Sequence, residues 1–151
     1  MPVPSDPPPR TMSATMVRQA RILVVDDEPM VAQALSLVLS REFAVTTTTQ
    51  PAQALEWIVS GESFDVILCD VMMPEMNGVE LRARIDAVDP DQAARIVFVT
   101  GGVLLPHVRA LLESVPNAWI EKPIDIDGLR ELVRRRVRAV RPSWRAPPRA
   151  M

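Results

Sequence analysis

Five polar residues in this sequence follow apolar runs closely enough to act together in one chemical reaction. Asp26 and Asp27 come directly after ILVV, Asp70 after VILC, Thr100 after IVFV, and Lys122 shortly after AWI. In a parallel sheet with the first strand central and the third and fourth beside it, these run ends meet at one edge. We therefore expect three carboxylates, a hydroxyl and an ammonium group to converge there.

This set of groups suits a hard cation and phosphoryl chemistry. Three neighbouring carboxylates repel one another and raise one another's pKa unless a cation neutralises them. Mg²⁺ fits because it prefers carboxylate, carbonyl and water oxygens. An aspartate beside Mg²⁺, with a lysine and a hydroxyl nearby, has the groups needed to accept a phosphoryl group. The alternative, that the aspartates are unrelated helix caps or loop acids, explains each one alone but not the set.

The elements that must position these residues alternate between short β-branched runs and longer runs of helical period. This alternation predicts strands at 22–25, 43–47, 66–69, 96–99 and 118–120, and helices at 29–40, 51–60, 77–88, 104–114 and 126–140. It is typical of βαβ units and a parallel sheet covered on both faces. The second strand is the least apolar and suits an edge. We predict a doubly wound α/β fold.

Composition limits the class of protein. With 151 residues, 48% of them apolar and 24% charged, the chain matches one soluble globular domain. No apolar run is long enough to span a membrane, and the N-terminus lacks the apolar stretch of a secretory signal, so we expect a cytoplasmic protein without membrane contact. The single cysteine, Cys69, lies in an apolar run and is predicted to be buried without a redox role.

Charge and proline content divide the chain into three parts. Residues 22–128 carry 17 acidic and 6 basic groups, whereas residues 129–151 carry eight arginines and one acid. We predict a disordered proline-rich arm at 1–20, the folded domain at 21–140 and a basic Pro/Arg tail at 141–151. The arginines leave nucleic-acid binding open as an additional activity. The absence of a helix-turn-helix pattern and the single aromatic residue there, Trp144, argue against it as the main role.

Four segments together resemble the signatures of the response-regulator receiver domain: RILVVDDEP, CDVMMPEMNG, VFVTGG and EKP. The resemblance covers about residues 21–140. It implies a flavodoxin-like (βα)5 fold with strand order 2-1-3-4-5, and a signalling domain, not a turnover enzyme. The segment 101–123 resembles the matching stretch of receivers at the C-terminal end of hybrid histidine kinases more than that of transcription-factor receivers, although the chain as a whole resembles single-domain, chemotaxis-regulator-like receivers.

The resemblance also implies a role for each matching residue. Asp70 would accept the phosphoryl group, which Lys122 would contact and Thr100 would bond after transfer. The cofactor would be Mg²⁺, bound directly by Asp27, Asp70 and the backbone carbonyl of Met72, and through water by Asp26. The peptide bond after Lys122 would be cis, as is usual in the family.

The resemblance further implies a conformational switch and a set of protein partners. Trp119 stands where the family usually has Phe or Tyr, so it is either a switch residue or a static core residue. The phosphodonor would be a histidine kinase or a histidine phosphotransfer protein. A downstream protein or a second copy would dock on the fourth predicted helix, the fifth strand and the fifth predicted helix.

Two further alternatives remain open besides this phosphoacceptor function. One is a docking scaffold that never gains phosphate, although such domains typically lose an acidic residue or the lysine. The other is a phosphatase or similar enzyme, for which the sequence offers no general acid beside the acceptor.

Overall fold

The computed structural model describes residues 19–101 and 105–140, which form one five-stranded parallel sheet. The strands lie in the order β2-β1-β3-β4-β5, which confirms the predicted order and the edge position of the second strand. Their bounds are Arg21–Val25 for β1, Ala44–Thr48 for β2, Val66–Asp70 for β3, Ile96–Thr100 for β4 and Trp119–Glu121 for β5.

Six helices connect or follow these strands in the described part of the chain. They are α1 (Pro29–Leu39), α2 (Pro51–Val59), α3 (Gly78–Asp86), α4 (Pro90–Ala94), α5 (Pro106–Glu113) and α6 (Ile126–Val140). Proline occupies the first turn of α1, α2, α4 and α5, where its missing N–H costs no hydrogen bond. Asn77 begins α3 with a capping box that includes Glu80. These local signals explain where the helices begin.

The central strands are buried because helices cover both faces of the sheet. Alternate residues of β1 point to opposite sides, so that Leu23 and Val25 belong to one apolar cluster and Ile22 and Val24 to the other. The first cluster includes side chains of α2, α3, α4 and α5, and the second includes those of α1 and α6. All five residues of β1, β3 and β4 are buried, as the unbroken apolar runs predicted.

The structure differs from the sequence-based prediction mainly at element ends. The short helix α4 was not predicted; Asp89 caps it by accepting a hydrogen bond from Gln92 N. β3 and β4 each extend by one residue, so Asp70 and Thr100 are the last residues of their strands and do not follow them. β2 and β5 each lie one residue later than predicted.

The predicted arm and tail fall almost entirely outside the described residues, as does Trp144. Within 19–101 and 105–140, no helix is long and apolar enough to cross a bilayer.

Candidate functional site

Three aspartates meet at the carboxyl edge of the sheet. Asp26 directly follows β1, Asp27 comes next, and Asp70 ends β3, which pairs with β1. One carboxylate oxygen from each residue lies within 4.8 Å of those of the other two. Asp26 and Asp70 are buried, and Asp27 is partly exposed. The structure therefore brings together the three acids that the sequence predicted to converge.

Asp26 is held in place by its own loop. The Glu28 N–H donates to Asp26 Oδ1 at 2.9 Å, and the Asp26 N–H donates to the carbonyl of Thr48 at 3.1 Å. Lys122 Nζ lies 3.4 Å from Asp26 Oδ2. The ammonium group of the fifth strand's loop thus reaches across the sheet edge to the acids that follow the first strand.

The electrostatics of the site center on Asp70. Burial raises the pKa of its carboxyl group to about 7, and the charge of Asp26 and a hydrogen bond that protonated Asp70 donates to the neighbouring Asp27 act in the same direction. The charge of Lys122 lowers the pKa and only partly offsets these effects. One ammonium group is therefore not enough to neutralise three carboxylates. A bound metal cation would supply the missing positive charge and stabilise the ionised carboxylates.

The donor atoms fit Mg²⁺. All three side chains offer oxygen, and none of the described residues in the cluster offers sulfur or imidazole. Met72, whose backbone carbonyl was predicted as a further ligand, is 49% exposed and lies in the loop after Asp70. A hard divalent cation that keeps some of its water suits this partly open set of oxygens.

Thr100 and Lys122 complete the predicted site from the two strands beyond β3. Thr100 ends β4 and is buried, and its carbonyl accepts a hydrogen bond from the Lys122 N–H at 2.8 Å. The Lys122–Pro123 peptide bond is cis, as expected. Every predicted side chain of the site therefore lies on the loops or strand ends at one edge of the sheet.

Gly78 is required by the packing under Asp70. A Cβ atom at this position would lie 2.5 Å from the carbonyl oxygen of Asp70 and 3.1 Å from Cε1 of Phe98. The Gly78 N–H also donates to the Val71 carbonyl at 2.7 Å. The start of α3 therefore approaches the end of β3 so closely that a side chain at Gly78 would displace the backbone of Asp70.

Trp119 lies at the first position of β5, opposite Phe98 of β4. It is partly buried and packs against the apolar cluster that contains Val108 and Leu112 of α5. This location agrees with both interpretations of the residue, a switch or a static core residue. Cys69, by contrast, is fully buried, which confirms its predicted burial, and burial raises the pKa of its thiol above the ordinary value.

The sequence reasoning missed an apolar groove beside Lys122. Its volume is about 410 Å³, and its lining includes Met30, Ala34, Ile124 and Ile126. Helical periodicity assigns apolar residues to the core, so it does not identify a second apolar face on the same helix. The signal that could have identified it is the complete lack of charged residues in α1.

Comparisons with known proteins match most of the chain to one domain family. The model of the response regulator receiver domain family matches residues 22–134. The chain is 30% identical to the transcriptional regulatory protein GlrR of Escherichia coli over 117 residues, covering 77% of this chain and 26% of that protein. It is 33% identical to the DNA-binding transcriptional regulator NtrC of Azospirillum brasilense over 129 residues, covering 85% of this chain and 26% of that protein. The chain thus spans about a quarter of the length of these relatives.

Solved structures agree with the sequence comparisons. The signal receiver domain of a signal transduction histidine kinase from Syntrophus aciditrophicus superimposes with a TM-score of 0.72 at 25% identity, covering 87% of this chain and 98% of that one. A CheY-like receiver domain protein from Methanospirillum hungatei gives a TM-score of 0.71 at 23% identity, covering 83% and 98%. The family match, the strand order and the grouping of the signature residues lead to one conclusion: the chain belongs to the response regulator receiver domain family.

Proposed function

We propose that Asp70 accepts a phosphoryl group from the phosphohistidine of a histidine kinase or histidine phosphotransfer protein, in a reaction that requires Mg²⁺. The observation that carries this proposal is the grouping of Asp26, Asp27 and Asp70 within 4.8 Å, with Lys122 3.4 Å from Asp26. Neither a cap nor an ordinary loop acid needs two acidic neighbours and a lysine at the same sheet edge.

The transfer step follows from these groups. An Asp70 carboxylate oxygen attacks phosphorus, a P–O bond forms, and the P–N bond to the donor imidazole breaks, so the electron pair leaves with the imidazole. Asp27, Asp70 and the Met72 carbonyl would hold Mg²⁺ directly, and Asp26 would hold it through water. Bound Mg²⁺ supplies positive charge that makes the phosphoryl oxygens easier to approach and keeps Asp70 ionised. Lys122, whose ammonium group lies 3.4 Å from Asp26 Oδ2, would neutralise a phosphoryl oxygen.

The signal would leave the site through β4 and β5. A phosphoryl oxygen on Asp70 gives the Thr100 hydroxyl a charged acceptor, and such a bond contributes roughly 1.5–3 kcal/mol. That gain can shift a two-state population by about tenfold or more. The loop that follows Thr100 would move, and Trp119 would turn inward. The surface of α5, β5 and α6 would then change for a downstream protein or for a second copy.

Labelling with a small phosphodonor tests the acceptor. Acetyl phosphate with Mg²⁺ should add one base-labile phosphoryl group, which intact-mass measurement detects. Asp70→Asn should abolish the addition, and Asp27→Ala should abolish Mg²⁺-dependent labelling while leaving the fold intact. Asp86→Asn, at the exposed end of α3, is the matched control and should label normally. Labelling of Asp70→Asn at the wild-type rate, or equal labelling in chelator, would show that the site is misassigned.

Fluorescence tests the switch separately. With Trp57 and Trp144 replaced by phenylalanine, Trp119 is the only indole, and beryllofluoride with Mg²⁺ mimics the phosphoryl group. We expect a change in emission that Thr100→Val reduces. A flat signal while Asp70 is occupied would make Trp119 a static core residue.

A further inference from the structure

Three arginines surround one acid on the solvent side of α6. Arg134, Arg135 and Arg138 lie 3.7, 3.8 and 3.6 Å from the carboxylate of Glu131, and their side chains are 41%, 58% and 57% exposed. A single carboxylate can neutralise only one of the three cations. Like charges three or four residues apart on a helix also repel one another. The second half of α6 therefore carries an excess of positive charge.

Hydrogen bonds hold one of these arginines in place and leave two available. Arg134 donates two hydrogen bonds to the carboxylate of Glu42, at 2.7 and 2.9 Å. Among residues 19–101 and 105–140, Arg135 and Arg138 donate no hydrogen bond, because their distances to Glu131 are too long. A guanidinium group presents its N–H donors in a planar fork that matches the oxygens of a phosphate group. Arg135 and Arg138 thus offer unused donors of this kind to the solvent.

Structural roles account for only part of the arginine cluster. Arg134 joins α6 to the residues before β2 through Glu42. Arg138 lies in the last turn of α6, where a cation interacts favourably with the helix dipole. Neither role requires Arg135, and neither explains why residues 132–151 contain seven arginines and no acid.

Other charges on α6 and before β2 leave the positive excess in place. Arg130 and Asp127, near the start of the helix, lie 3.9 Å apart and balance each other. Arg136 on α6 and the exposed Arg41 form no ion pair in the part of the chain that the structure describes. Both therefore add to the positive charge of this region.

Acids at the same end of the sheet are either paired or lie on the other face. Glu62 and Asp65 both accept hydrogen bonds from the buried Arg21, and Glu113 at the end of α5 pairs with Arg109. Three further acids lie at the ends of α3 and α4, which pack on the face of the sheet opposite α6: Asp86, Asp89 and Asp91. A polyanion can therefore lie along α6 without meeting these acids.

We propose that the second half of α6 and the arginines that follow it bind the phosphate backbone of a double-stranded nucleic acid, as an activity additional to phosphoryl transfer. A cationic run of twenty residues without an acid, 132–151, suits a long linear polyanion better than a small acidic patch on a protein. Contacts to phosphate carry no sequence information, so binding should not depend on base sequence.

A single strand and a membrane are poorer fits to this surface. Proteins that bind single strands stack the bases on aromatic side chains, and Trp144 is the only aromatic residue after β5. A helix that lies on a membrane needs an exposed apolar face. The apolar side chains of α6 belong instead to the cluster against the sheet, with Leu129 and Val133 buried and Leu132 and Val137 packed beside them.

The proposed surface is separate from the phosphoacceptor site. Asp70 ends β3 at the carboxyl edge of the sheet, whereas the second half of α6 lies beside Glu42, which precedes β2 at the opposite edge. Phosphoryl transfer and nucleic-acid binding can therefore occur on the same molecule. The proposal goes beyond the proposed function and does not depend on it.

Fluorescence anisotropy of a short labelled DNA duplex tests binding by the full chain. We expect a Kd of roughly 10⁻⁶–10⁻⁴ M near physiological salt. The logarithm of the association constant should fall with the logarithm of the salt concentration with a slope of about −3 to −5, as when three to six arginines contact phosphates. A duplex of unrelated sequence should bind equally, and a single strand of the same length more weakly.

Removal of the two available arginines identifies the surface. Arg135→Gln with Arg138→Gln should weaken binding about tenfold or more at low salt and make the salt dependence less steep by about 2. Arg84→Gln with Arg109→Gln is the matched control, since it removes the same charge from exposed positions on α3 and α5. This control should keep the slope of the wild type.

Removal of the shared acid should have the opposite effect. Glu131→Gln should strengthen binding several-fold, because the carboxylate that competes with phosphate for three guanidinium groups is gone. Glu56→Gln, at an exposed position on α2, changes the net charge equally and should strengthen binding much less. Circular dichroism checks the fold of each variant, and labelling of Asp70 by acetyl phosphate should be unchanged in all of them.

Several outcomes would contradict the proposal. The wild type could fail to bind either duplex at low salt, the arginine variant could bind like the wild type, or Glu131→Gln could gain no more than Glu56→Gln. Poly-glutamate bound as tightly as the duplex would assign the surface to an acidic protein instead. Binding to phosphatidylserine vesicles without binding to the duplex would assign it to a membrane.

Discussion

Replacing Asp70 by asparagine should stabilise the metal-free protein at neutral and higher pH. Asp70 is buried beside Asp26 and Asp27, and its pKa is raised from 3.8 to about 7. Asparagine has nearly the same shape but carries no charge, so it avoids both the desolvation of a carboxylate and its repulsion by two like charges. Asp70 should therefore lower the stability of the folded protein whenever no cation is bound.

The magnitude and the pH range follow from the two pKa values. The pKa of Asp70 is higher in the folded state than in the unfolded state. At a pH between these two pKa values, the folded state therefore binds more protons than the unfolded state. Stability of the wild type should then fall as pH rises from about 4 to about 7 and level off above. A pKa difference of about three units corresponds to a loss of roughly 4 kcal/mol in the free energy of unfolding at the upper end of this pH range. This value is an upper bound for such a crowded cluster.

Urea unfolding in chelator measures this effect. The advantage of Asp70→Asn over the wild type should be small near pH 4 and reach about 2–4 kcal/mol near pH 8. Mg²⁺ at neutral pH should reduce this advantage, because the cation should stabilise the protein with all three carboxylates more than the variant that keeps two. Asp86→Asn, on the exposed end of α3, should show no such trend. An advantage that stays constant from acid to alkaline pH would refute the reasoning.

Three other substitutions test the framework that holds the site. Gly78→Ala should destabilise the protein by about 1–3 kcal/mol and slow acetyl phosphate labelling, because its Cβ would meet the Asp70 carbonyl at 2.5 Å; normal labelling would count against the tight fit. Gln92→Leu should cost about 1–3 kcal/mol in urea unfolding, because it leaves the buried Phe64 backbone N–H without its 2.9 Å acceptor, while labelling continues. Arg21→Met should cost about 1–3 kcal/mol through loss of a buried ion pair with Glu62, again with labelling retained. Loss of labelling in a folded variant of Gln92 or Arg21 would show that these residues act on the site and not only on the fold.

Much of the fold could be predicted because periodicity is a local property with a direct physical cause. Strands covered on both faces are buried along their whole length and mostly apolar, and the runs at 22–25, 66–69 and 96–99 within β1, β3 and β4 are apolar at every position. The convergence of the aspartates was predictable for a related reason: parallel strands bring their carboxyl ends to the same edge, so residue type at a run's end is enough to locate a site.

The missed helix α4 depends instead on contacts far apart in sequence. Gln92 is 1% exposed, and its side chain bonds both the N–H and the carbonyl of Phe64 and the hydroxyl of Ser63. A five-residue helix gains little from propensity alone, so these tertiary bonds and the Asp89 cap stabilise it. A glutamine in a polar stretch gives no sign in the sequence that it will be buried.

The position of the acids also explains why the fold tolerates them. Asp70 ends the central strand β3, and Asp26 follows its neighbour β1; the preceding residues of both strands lie in both apolar clusters. The destabilising charges are thus attached where the backbone is held most firmly, and the repulsion among them cannot relax by moving a strand. A site so placed keeps its carboxylates close together without a cation, and relief of that repulsion would add to the affinity for any cation that binds there.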